Sequence, residues 1–154
     1  MQETPARQAS FATPKRGFHA SIEERLKALG IEQLFTHQAA ACDAAALGKD
    51  LVVVTGTNSG KTLCYNLPAL QICVTEPAAR CLYLFPTKAL AQDQLSRLEA
   101  LIPSSSVRAG TYDGDTPQSQ RSSLRRLGHI ILTNPDMLHI GILPGHENWS
   151  KFLK

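Results

Sequence analysis

Apolar positions fall at two different spacings along the chain. Ile22, Leu26 and Leu29 recur at helical intervals, which predicts a helix with one apolar stripe. Ser21-Ile22-Glu23-Glu24 has the form of a capping box at its start, and Gly30 supplies a left-handed stop. Thr36 opens a second, alanine-rich helix that Gly48 ends. Ahead of both, residues 1–20 hold Pro5, Pro14 and Gly17 and keep no period, so a flexible N-terminal arm is expected there.

From residue 51 the spacing changes. Leu51-Val52-Val53-Val54-Thr55 is a continuous, mostly β-branched run, the pattern of a strand buried on both faces. A glycine-containing loop follows, then a helix from Gly60. Residues 81–85 predict a second strand and 88–101 a helix. Residues 107–111 predict a third strand. Residues 117–127 predict a helix with Thr116 as cap and Gly128 as stop. Residues 129–133 predict a fourth strand, after which Pro135 opens a further helical turn. Strands alternating with helices imply right-handed crossovers and an α/β fold, a parallel sheet flanked by helices. Such sheets bind ligands at the carboxyl ends of their strands.

Composition narrows the class without naming a chemistry. The 154 residues are 43% hydrophobic and 19% charged, enough apolar material for one domain core. No apolar run approaches the ~20 residues that span a bilayer, so no membrane partner is expected. Residues 1–18 lack the apolar middle of a secretory leader. A net charge of +3 permits a nucleic-acid partner without requiring one. Cys42, Cys64, Cys73 and Cys81 form no C-x-x-C pair and have no His at zinc-finger spacing. They are expected to be small buried thiols of a reducing compartment rather than a metal site or disulfides.

The sharpest chemical signal is Thr55-Gly56-Thr57-Asn58-Ser59-Gly60-Lys61-Thr62, placed between a predicted strand and a predicted helix. That context suits a phosphate loop, whose backbone N–H groups cradle phosphate oxygens at a helix N-terminus. Lys61 would reach the β and γ phosphates of ATP, and the Thr62 hydroxyl would sit on Mg²⁺. The pattern departs from the usual one: Thr55 stands where the first glycine is usual, and Gly56 comes one place later. Pro68 inside the following helix should kink or end it.

Beyond the loop, the chain resembles superfamily 2 DEAD/DEAH-like helicases, specifically the Hrq/MrfA branch of DNA helicases. Residues 55–70 (TGTNSGKTLCYNLPAL) resemble motif I, and 82–94 (LYLFPTKALAQDQ) resemble motif Ia. YDGDTP at 112–117 and TNPDMLH at 133–139 resemble motifs Ib and Ic, HENW at 146–149 fits the same branch, and Phe35-Thr36-His37-Gln38 resembles the Q motif. The resemblance covers residues 20–154 in the expected order. It implies a RecA-like P-loop domain, incomplete here, the first half of motor domain one, over residues 21–154. It also implies ATP and Mg²⁺ as cofactors and DNA, single-stranded or forked, as partner. Further implications are 3′-to-5′ unwinding, a role in DNA repair, and a second RecA-like domain elsewhere in the full-length protein. Gln38 would read the adenine edge, since a carboxamide both donates and accepts. The loop residues Thr55, Gly56, Thr57, Asn58, Ser59, Gly60, Lys61 and Thr62 would hold the nucleotide. Localisation would be cytoplasmic in a bacterium and nuclear in a eukaryote.

Pro86-Thr87-Lys88 and Thr133-Asn134-Pro135 each end a predicted strand and open a helix. Free N–H donors there suit phosphates of a nucleic-acid backbone, which carry no base information. Arg121, Arg125 and Arg126 read as a solvated face, Asp113 and Asp115 as turn formers, and Trp149 as an anchor for the end of the chain. The acidic box that would hold Mg²⁺ in the family is missing, so the expectation is a fragment or partial reading frame. Such a piece would bind nucleotide weakly, show no measurable ATP turnover, and leave apolar edges exposed. The competing expectations are another P-loop enzyme, such as a nucleotide kinase, and a passive single-strand nucleic-acid-binding module with a vestigial loop.

Overall fold

The computed structural model describes residues 9–57, 59–103 and 107–153. The chain opens with β1 (Phe11–Ala12), which pairs antiparallel with β2 (Leu34–Phe35). Between them lies α1 (Ala20–Ala28). From residue 9 onward, the expected arm is therefore laid along the body. Phe11 stacks on Phe35 at 5.2 Å, and the Lys15 N–H donates to Asp43 Oδ1 at 2.7 Å. Its first residues lie outside the described ones. His19, not Ser21, caps α1: its Nδ1 accepts from the Ser21 N–H at 3.3 Å. Gly30 and Gly48 both take the left-handed conformation, as their stop roles require.

Next come α2 (Thr36–Ala46), α3 (Lys61–Thr75), β3 (Cys81–Leu84), α4 (Lys88–Leu101), β4 (Ala109–Thr111), α5 (Gln118–Leu127) and β5 (Ile130–Thr133). A short α6 (Pro135–Met137) continues into a π-helical turn, Leu138–Ile142, and a kinked 3-10 segment, Leu143–Trp149. The sheet is parallel, in the order β3-β5-β4. β5 is central and all four of its residues are buried, as its apolar run dictates. The pleat splits that run. Ile130 and Leu132 join a core with Leu67, Leu70, Leu95 and Leu98 from α3 and α4. Ile131 joins a second core with Tyr112, Ile142, Trp149 and Phe152. Trp149 thus anchors the last segment, edge-on to Tyr112 at 4.7 Å.

Three further expectations are corrected. Leu51-Val52-Val53-Val54-Thr55 is not a strand: it joins no ladder, and Val52 and Val54 are 89% and 88% exposed. Strand propensity is realised only against a neighbour, and among the described residues β3 is bonded to β5 alone, leaving its other edge unpaired. Pro68, for its part, does not end its helix: α3 runs through it from Lys61 to Thr75. Burial of Leu67, Ala69, Leu70 and Cys73 holds the helix together across the lost backbone bond. Likewise Pro117, not Thr116, precedes α5, because the Thr116 hydroxyl is turned inward to the Thr111 carbonyl. Among the described residues no helix is long and apolar enough to cross a membrane.

Candidate nucleotide and nucleic-acid site

The loop ahead of α3 is shaped by Gly60. Its φ of +74° is a left-handed conformation that only glycine adopts without strain, and it turns the chain into the helix. No side chain caps α3, so its first amides are left to whatever approaches the helix end. Lys61 folds back over the loop: its ammonium donates to the Thr55 carbonyl at 3.0 Å and also to the Gly56 carbonyl. The Thr55 and Ser59 hydroxyls hydrogen-bond to each other and close the loop's base. Asn58 lies outside the described residues.

The start of α2 clamps this loop from behind. Gln38 is 2% exposed. Its Oε1 accepts from the Phe35 N–H at 2.9 Å, and its Nε2 donates to the Gly60 carbonyl at 3.0 Å. One amide hydrogen and one lone pair remain beyond these two bonds. Beside it His37 Nε2 lies 2.9 Å from the Ser59 carbonyl. A carbonyl only accepts, so this contact is a hydrogen bond when Nε2 carries a hydrogen. His37 is stacked on Phe35 at 5.7 Å. Gln38 is legible in the motif Phe35-Thr36-His37-Gln38, whereas the part played by His37, in the same four residues, is visible only in the fold.

In front of the loop is a hollow of about 640 Å³, lined by Leu51, Val53, Lys61, Thr62, Phe85 and Leu90 among others. It therefore joins the start of α3 to the end of β3 and the first turn of α4. The Tyr65 phenol reinforces that link by donating to Gln94 Oε1 on α4 at 2.8 Å, and burial pushes its pKa up. No Asp or Glu is among the described residues lining the hollow.

β3 and β5 run parallel with Leu84 opposite Thr133, so the segments after them leave the sheet on the same side. Pro86, Thr87 and Lys88 are exposed there. Thr87 caps α4, its hydroxyl oxygen accepting from the Leu90 N–H at 3.2 Å, which leaves the hydroxyl hydrogen free to donate. Asn134 caps α6 in the same way, Oδ1 accepting from the Met137 N–H at 2.8 Å, with Pro135 exposed beyond it. Lys88 is not a lone cation: it pairs with Asp115 at 2.9 Å, and that hydrogen bond raises its pKa.

The DEAD/DEAH box helicase family matches residues 35–154, the stretch that contains all of these groups. The chain belongs to that family. It is 52% identical over 135 residues to the uncharacterized ATP-dependent helicase YprA of Bacillus subtilis, covering 84% of this chain and 18% of that protein. Against the ATP-dependent helicase HRQ1 of Saccharomyces cerevisiae it is 40% identical over 126 residues, covering 79% of this chain and 12% of that one. The crystal structure of the DUF1998 helicase MrfA bound to DNA superposes with a TM-score of 0.90 at 46% identity, covering 95% of this chain and 20% of that chain. The same helicase bound to DNA and AMPPNP gives 0.87 at 44%, covering 95% of this chain and 21% of that chain. These relatives bear out the Hrq/MrfA branch and the RecA-like α/β fold. The chain spans only 12–21% of their length.

Within this helicase domain some polar groups serve the fold rather than a ligand. The Thr133 side chain, expected to face nucleic acid, is 1% exposed, and its hydroxyl donates to the Tyr112 carbonyl at 2.6 Å, tying β5 to the end of β4. Asp113 makes the expected turn bonds, accepting from the N–H groups of Asp115 and Thr116 at 2.9 and 3.1 Å. Arg121 leaves the solvated face assigned to it. It donates to the carbonyls of Thr116 and Asp113 at 2.9 and 2.8 Å and lies over the Tyr112 ring. Among the described residues no group of three or more His, Cys, Asp or Glu converges to hold a metal.

Proposed function

We propose that this chain is the ATP-binding and nucleic-acid-contacting part of the first motor domain of an ATP-dependent DNA helicase, serving DNA repair. The observation that carries it is the shared hollow: Lys61 and Thr62 of the phosphate loop face Phe85 and Leu90, which flank Pro86-Thr87-Lys88. A nucleotide held there would lie beside a nucleic-acid strand at the end of β3. The loop fits a triphosphate: uncapped amides at the start of α3, a left-handed Gly60, and an ammonium resting on carbonyls from which it can be drawn. Thr55 to Thr62, with Asn58 among them, would hold the phosphates, and Gln38 would offer adenine its spare donor and acceptor.

For Mg²⁺, Thr62 supplies one hydroxyl oxygen. Its other ligands would be phosphate oxygens and a carboxylate from outside the hollow, whose described lining has none. Alone, the chain should therefore bind nucleotide without steady turnover. A single strand of DNA would lie across the starts of α4 and α6, its phosphates touching the exposed Pro86, Thr87, Lys88 and Pro135 and the largely buried Asn134 at the rim. The second RecA-like domain of the whole protein would close over it.

The test combines two titrations. A fluorescent ATP analogue with Mg²⁺ should bind, and Lys61→Ala should weaken binding at least tenfold while leaving the fold intact. Single-stranded DNA should bind with a salt slope of about −0.7 per phosphate contact, summing to two or three contacts. Nucleotide binding indifferent to Lys61→Ala, with DNA binding retained, would favour the passive binding module instead. Steady turnover lost on Lys61→Ala would contradict the inactivity of the isolated chain.

A further inference from the structure

We propose that Cys73 and Cys81 are a peroxide-oxidisable dithiol pair that closes to a disulfide, stapling the end of α3 to the start of β3. The two sulfurs lie 3.9 Å apart, within hydrogen-bonding distance for thiols. Cys73 is buried near the end of α3, and Cys81, the first residue of β3, is half-buried. Of the two, Cys81 is the partly exposed one, so a small oxidant would reach the pair from its side. Both backbones are tethered: the Cys81 N–H donates to the His129 carbonyl at 2.8 Å, and the Glu76 N–H closes α3 on Ile72.

The neighbourhood distinguishes the two thiols. The hydrogen bond from Cys73 lowers the pKa of Cys81, whereas the same bond raises that of Cys73, followed by burial. The Arg80 guanidinium adds positive charge beside the pair. Cys81 is thus the attacking sulfur and Cys73 the resolving one. The Cys81 thiolate attacks hydrogen peroxide, breaking the O–O bond to give a sulfenic acid and hydroxide. The Cys73 sulfur then displaces hydroxide from that sulfenic acid. Two thiols and one peroxide become one disulfide and two waters. Cys42 and Cys64 are the internal controls: both are buried, and burial pushes Cys42 up to about 12, leaving it without thiolate.

The experiment is a peroxide titration of the folded, fully reduced chain, followed by intact mass and non-reducing peptide mapping. The expected product is 2 Da lighter, carries a Cys73–Cys81 cross-link, has two free thiols in place of four, and reverts with dithiothreitol. The Cys42→Ser/Cys64→Ser variant should give the same product, and it keeps the test open if Cys73→Ser or Cys81→Ser fails to fold. In folded Cys73→Ser, dimedone should trap the sulfenic acid at Cys81. Stepwise addition of 16 Da with no lighter species, or a cross-link that needs Cys42 or Cys64, would overturn the proposal.

Discussion

Gly60→Ala places a methyl group where the loop ahead of α3 meets the α2 clamp. An added Cβ would lie 2.4 Å from Gln38 Nε2 and 3.7 Å from Gln38 Cδ, on a residue held at φ +74°. The left-handed backbone alone costs about 1–2 kcal/mol for a non-glycine residue. Driving Gln38 aside breaks its bond to the Gly60 carbonyl and strands a buried carboxamide, a further ~1–3 kcal/mol. The sum, roughly 2–5 kcal/mol, is a large share of the ~5–15 kcal/mol that holds a typical domain together. Trp149 is the single tryptophan and is buried, so urea unfolding followed by its fluorescence reads the loss. Gly56→Ala is the control. Nothing lies within 4 Å of its Cβ, and it should change stability by less than about 0.5 kcal/mol. A double-mutant cycle isolates the clash. In a Gln38→Ala background the collision is gone, and Gly60→Ala should cost only its backbone strain, about 1–2 kcal/mol. An equal cost in both backgrounds, or none in either, refutes the clamp between α2 and the loop.

Thr133→Val keeps the shape of the side chain but strands the Tyr112 carbonyl, so stability should fall by about 1–3 kcal/mol in the same urea assay. Single-strand DNA affinity should not change, and a folded variant that loses DNA would return Thr133 to the interface. His129 has a lowered pKa, chiefly from burial and then from the charge of Arg80, and its Nδ1 accepts from the Arg108 N–H at 3.1 Å. Between the lowered native value and the ordinary ~6.5 the unfolded chain binds more protons. Stability is therefore full above about pH 6.5 and declines as pH falls below it, and His129→Gln should flatten that slope in urea midpoints taken at several pH values. Val54→Lys touches a side chain that is 88% exposed. It should leave stability within about 0.5 kcal/mol and reduce self-association in sedimentation; a loss above 2 kcal/mol would mean that the 51–55 run is buried in solution.

The sequence by itself determined whatever is encoded within a few neighbouring residues. The apolar run within 129–133 was legible as a strand, and it became the centre of the sheet. Gly30 and Gly48 marked two helix stops, and both take the left-handed conformation. The span of α4 and the turn at Gly60 that leads into α3 were legible for the same reason: helical period, caps and glycine placement are local. Tertiary structure decided which partner each group found. Val52 and Val54 carry strand propensity, but a ladder needs a second strand, and no run of residues specifies its own neighbour. Lys88 and Asp115 are far apart in the chain and meet only because α4 packs beside β4. Arg121 left its solvated face for carbonyls at the preceding turn, Thr133 turned its hydroxyl to β4, and His37 reached Ser59 across the loop. A polar side chain is committed by whichever donor or acceptor burial brings within about 3 Å. That proximity is a property of the packed chain, which periodicity along the sequence does not contain.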